Sequence, residues 1–203
     1  MNPFPPSSTG AQIYEQIESC LRELDLVQRK SAHSNLLSQI LVLPLDELLG
    51  QAITNQPMAQ AVRPGLCIAL DAWDEAHGLA QDLDTIEGSY WHGIVHRREP
   101  DAGNAKYWFR RVGQHPVFLQ LGSRETRQDL PSAKALDHIV QSGSWDPFAF
   151  VELCTASEGE LLNEIKAQLV ALQRKEIKLL LTHCIQGAIE KEVFSLPLRK
   201  RGI

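Results

Sequence analysis

Cysteine is scarce and scattered in this 203-residue chain: Cys20, Cys67, Cys154 and Cys184 stand far apart, with no CxxC spacing. That excludes a zinc-finger framework and a disulfide scaffold. It predicts free thiols that behave as small apolar residues in a reducing, cytoplasmic compartment. No apolar run approaches the roughly 18 residues of a membrane-spanning helix. Met1 to Gly10 has neither a basic patch nor an apolar stretch, so it does not read as a secretory signal. Positive charge is not in excess: 20 Lys and Arg face 25 Asp and Glu, a net charge of −5, whereas duplex-DNA binders are usually basic. Nucleic acid is therefore not an expected partner. Walker loop, GxGxxG and GxSxG are also missing, which removes the common nucleotide-binding and serine-hydrolase folds.

What the chain has is an ordinary apolar fraction, 43%, placed at helical spacing. Ile13, Ile17, Leu21 and Leu24 recur at three- and four-residue steps and predict a helix from Ala11 to Leu26. Leu36 to Leu43 forms a second apolar segment that Pro44 stops, and Leu45, Leu48 and Leu49 begin a short helix that either Gly50 or Asn55-Gln56-Pro57 can end. Shorter helices follow: one ending at Leu70, one from Glu75 to Leu83, one from Glu87 to Arg98, and one from Asn104 to Gly113. From Phe118 to Pro131 the chain reads as a polar loop, then a helix is expected over Ser132 to Val140. Asp146 and Pro147 have the chemistry of an N-cap and a first helical position. Leu161 through Ile185 keeps a helical period within Glu158 to Phe194, predicting one long C-terminal helix that completes the monomer or packs against a second copy.

Period-two alternation is not sustained anywhere, so the fold class is all-α: antiparallel helical hairpins stacked as a bundle. Residues 1–10 read as a flexible arm and 11–203 as a single all-α domain. Asp74-Glu75-Ala76-His77 and Gly103-Asn104-Ala105-Lys106 occupy equivalent helix starts, which suggests a tetratricopeptide-like repeat.

The densest functional chemistry lies between Asp74 and His115. His92 and His96 project from one side of a helix, a turn apart, with Glu99 on the same side. Tyr90, Trp91, Ile94 and Val95 centre on the opposite, apolar face. On the preceding helix Asp74 and His77 share a face, and an antiparallel turn brings His77 level with His92. His77, His92 and His96, with Asp74 or Glu99 as carboxylate, form a donor set suited to one divalent transition-metal ion. HxxxH lacks the adjoining glutamate of HExxH, so hydrogen-bonded histidines are the competing account.

A second cluster is cationic. Arg97, Arg98, Arg110 and Arg111 are interleaved with Tyr107 and Trp108, beside Asp101, Asn104 and His115, a composition that can clamp a small anionic ligand. Glu99 and Asp101 could instead neutralise the arginines as ion pairs. A third account makes the region a scaffold face for a protein partner. His33, His138 and His183 stand alone along the chain and read as surface or satisfied core residues.

The segments Gly88 to His92, His96 to Asp101 and Asn104 to Gly113, with His115-Pro116, resemble a family of bacterial and fungal proteins that has no assigned activity. The similarity covers less than a quarter of the chain, and Asp74 to His77 and Gln81 share it. It implies kinship over this stretch and no role for any residue.

Overall fold

Capping chemistry sets most helix boundaries in the computed structural model, which describes residues 2–29, 33–128, 139–141, 143–156 and 160–190. The first helices are α1 (Thr9–Glu23), α2 (Ser34–Val42), α3 (Leu45–Leu49), α4 (Gln56–Gln60), α5 (Val62–Ala69) and α6 (Trp73–Gln81). They are followed by α7 (Ile86–Arg98), α8 (Ala102–Val112), α9 (Pro116–Gly122), α10 (Arg124–Gln128), α11 (Pro147–Thr155) and α12 (Glu160–Ile189). Ser8, Asn55, Thr85 and Asp101 each accept a first-turn amide hydrogen, and Asp146 accepts two, from Phe148 and Ala149, with Pro147 behind it. Each such cap satisfies an amide the helix itself leaves unpaired. Gly50 closes α3 at φ +63°, a left-handed conformation that favours glycine.

The fold is all-α, with one small exception. Val140–Gln141 and Ser144–Trp145 form a two-residue antiparallel ribbon, Val140 opposite Trp145 and Gln141 opposite Ser144. The long C-terminal helix is present as α12. A tetratricopeptide-like arrangement is not confirmed: the helices are unequal in length, and α12 packs with α4, α5, α9 and α11 rather than with one neighbour.

Three expectations need correction. Residues 2–10 do not behave as a loose arm: Phe4 is buried with its ring 6.1 Å from Tyr14, and Asn2 Nδ2 donates to the Ala11 carbonyl. An apolar ring among prolines has a groove to fill, and composition alone hides that. Over its described residues, 119–128, the supposed loop after Phe118 is the rest of α9 followed by α10. Pro116 occupies the first position of α9, with the His115 ring as its N-cap. Most of the helix expected over 132–140 lies outside the described residues, and Val140 belongs to the ribbon.

The helix that matters most is α7. It is buried from Gly88 to Arg98, polar face and apolar face alike, and it packs with α5, α6, α8 and α11. A helix covered on all sides is not amphipathic, so each of its polar side chains must find an internal partner. Trp91 reaches α5 where Gly65 leaves room: a Cβ at Gly65 would sit 2.6 Å from the indole ring. Gly65→Ala therefore overpacks this contact and should cost about 1–3 kcal/mol, read as a lower urea midpoint by tryptophan fluorescence. No helix among the described residues is long and apolar enough to cross a membrane.

Candidate metal centre

α6 supplies His77 and α7 supplies His92 and His96, and the packing of these two helices brings all three rings together. Their ligand nitrogens lie within 4.8 Å of one another. His77 Nε2 and His92 Nε2 are 3.1 Å apart. Two nitrogens bound to one tetrahedral zinc at about 2.0–2.1 Å would be about 3.3 Å apart, so the spacing matches one edge of such a site. The rings of His92 and His96 are stacked, 4.9 Å between centroids at 12°, as expected for residues four apart on a helix. His77 meets both edge-on, at 4.6 and 5.2 Å.

Aromatic slabs close two sides of the cluster. Trp108 of α8 lies on His92 at 3.9 Å, and Trp73 lies on His77 at 4.9 Å. Trp108 is half-buried and serves the histidine cluster as a lid rather than filling the apolar stripe of α8. His92 and His96 are buried, whereas His77 is half-buried and gives the cluster its exposed side.

Glu99 accepts from or shares a proton with His96 Nδ1 at 3.1 Å. That contact leaves Nε2 as the nitrogen His96 has to offer, the arrangement in which a carboxylate orients a ligating imidazole. Asp101 joins from the other side, its carboxylate within 4.8 Å of the donor atoms of His96 and Glu99. Its oxygens are already engaged with Asn104, the amide at 3.0 Å and Nδ2 at 2.7 Å. The Asn104 amide holds the Asp101 carboxyl below its ordinary range. Asp74 is exposed on α6 and belongs to neither donor group.

The electrostatics disfavour the charged form of His92 and His77. Burial, then the neighbouring rings of His77 and His96, push the His92 pKa down to about 3. His77 is lowered as well, by burial and His96, against the pull of Glu99 and Asp74. Neutral rings present the lone pairs that a cation needs.

The cationic cluster is not brought together. Arg97 is fully buried, its guanidinium on Glu176 and Gln173 of α12 (3.2 Å from Nη1 to Glu176 Oε1, 3.4 Å from Nη2 to Gln173) and 4.4 Å from the Phe150 ring. Arg98, equally buried, pairs with Asp71 at 2.9 Å and reaches the Asp25 carbonyl. Neither can take an external anion without breaking an internal pair, and neither pairs with Glu99 or Asp101 as the sequence suggested. Arg111 lies over Trp108 and pairs with exposed Asp84 at 3.1 Å. Arg110 is exposed, and Tyr107 is exposed with its ring edge-on to Trp108.

His115 is also elsewhere. It forms a separate group with Glu87 and His183, whose donor atoms fall within 4.8 Å of one another. Sequence reasoning missed this group because His183 lies on α12, far along the chain. His115 Nε2 is 3.8 Å and His183 Nε2 3.5 Å from Glu87 Oε1. Burial works to raise the Glu87 carboxyl, but the two facing imidazoles hold it well below the usual carboxylate range. The Val117 amide donates to His115 Nδ1 at 3.2 Å, so the neutral ring carries its proton on Nε2 and has no lone pair there for a metal. The His77 cluster, by contrast, can converge lone pairs.

No protein-family model matches the chain, and no curated protein or solved structure is significantly similar to it.

Proposed function

We propose that this chain holds one divalent transition-metal ion on His77, His92 and His96, with Glu99 as the carboxylate that orients His96. The observation that supports this reading best is the convergence of three imidazole nitrogens within 4.8 Å, two of them at 3.1 Å. Three neutral nitrogen donors suit zinc or its late first-row neighbours. They leave the ion its full positive charge and at least one coordination position for water, on the side where His77 is half-exposed. Held there, such an ion would acidify a bound water, which is the chemistry of hydrolytic zinc centres. The burial of Arg97 and Arg98 in ion pairs argues against the anion-receptor alternative.

Protein purified without a histidine tag should contain zinc, or take it up, at one ion per chain, as read by elemental analysis and calorimetric titration. His92→Ala with His96→Ala should abolish binding while circular dichroism keeps its helical signal. The reading fails if the parent chain binds no stoichiometric zinc, cobalt or nickel, or if the double variant binds as tightly as the parent.

A further inference from the structure

We propose that Cys20 and His33 form a nucleophilic thiol site that accepts acyl groups from ester or thioester substrates. Cys20 lies in the last part of α1 and His33 is the residue before α2, and their Sγ and Nε2 atoms are 3.3 Å apart. The other sulfur contacts are longer: 3.8 Å to the Gln16 carbonyl and 4.0 Å to Ser19 Oγ. Cys20 is half-exposed, whereas Cys67, Cys154 and Cys184 are buried. Burial pushes those three thiols up, to about 12 for Cys67 and Cys154, so they stay protonated and inert.

The pair opens on a surface pocket of about 400 Å³. One wall is α1, through Gln16, Ser19 and Cys20; the other is the first turn of α2, through Ser34 and Asn35. α2 has nine residues, and its N-cap His33 makes no side-chain cap, so among the described residues its first amides have no acceptor within the helix or from that cap. Such amides, at the positive end of the helix dipole, are donors for an oxygen that gains negative charge beside the sulfur. Thiol, base, pocket and oxyanion donors thus occur together, the parts that covalent acyl transfer requires.

The chemistry balances with these groups and water. His33 Nε2 takes the Sγ proton as sulfur bonds to the acyl carbon, and the carbonyl oxygen takes the electron pair. Collapse of that adduct expels the alcohol or thiol, which receives the proton back from His33. Water, losing its proton to His33, then cleaves the S–C bond, releases the carboxylic acid and restores the thiol.

The test uses p-nitrophenyl acetate on the intact chain. One acetyl group per chain should appear in the intact mass, map to Cys20 after digestion, and vanish in Cys20→Ser. His33→Gln should slow adduct formation at neutral pH by about tenfold or more. His33 is exposed, and Cys20→Ser keeps the size of a side chain that only edges the core, so neither change opens a cavity. An acetyl group found only on lysines overturns the proposal, as does a His33→Gln variant that reacts at Cys20 as fast as the parent.

Discussion

Glu176→Ala should lower the free energy of unfolding by about 3–5 kcal/mol, measured by urea titration, because it strands a guanidinium with no water to receive it. Arg97 and Glu176 are both fully buried, and the Gln173 side chain and the Phe150 ring complete the enclosure. A lone carboxylate partner removed from such a place leaves an uncompensated charge, which costs far more than the pair itself contributes. The double change Arg97→Met with Glu176→Leu should therefore recover most of the loss, since it removes both charges and refills the volume. A double variant as unstable as Glu176→Ala would mean that the pair stabilises by more than charge compensation. Exposed Lys106–Glu152 offers the contrast: at 2.7 Å the geometry is good, but Lys106→Ala should change stability by less than about 1 kcal/mol.

Acid should weaken the fold through the histidine cluster. His92 has a pKa near 3 in the folded chain and an ordinary imidazole value once unfolded, so between the two the unfolded chain binds more protons. Stability is then complete above pH 6.5 and falls as pH drops towards 3, by about 1.4 kcal/mol per pH unit at most for one such group. In chelator-treated protein, unfolding free energy at pH 4 should lie about 2–3 kcal/mol below that at pH 7. His92→Phe should flatten this dependence, because it removes the group that must charge. Bound zinc should steepen it, since protons and the ion compete for the same lone pairs.

The sequence made the histidine cluster legible for a local reason. His92 and His96 are one turn apart, and the short connection from α6 to α7 forces His77 close to them. The start of α11 was legible too, from Asp146 and Pro147 ahead of an apolar run. What stayed hidden depended on distant partners. Arg97 reads as a surface cation until Glu176 of α12 comes to meet it, and Arg98 until Asp71 does. Cys20 with His33, and Glu87 with His115 and His183, are contacts between elements that no periodicity announces. The start of α9 stayed hidden for a different reason: its cap is the ring nitrogen of His115, which is not among the usual N-cap groups.

The burial of α7 has a consequence for how the molecule is made. Among the described residues, the one carboxylate paired with its Arg97 guanidinium lies 79 positions further along the chain. While the polypeptide is still emerging from the ribosome, this helix cannot be enclosed without trapping a naked charge, so the interior must stay hydrated until the stretch around Glu176 has been synthesised.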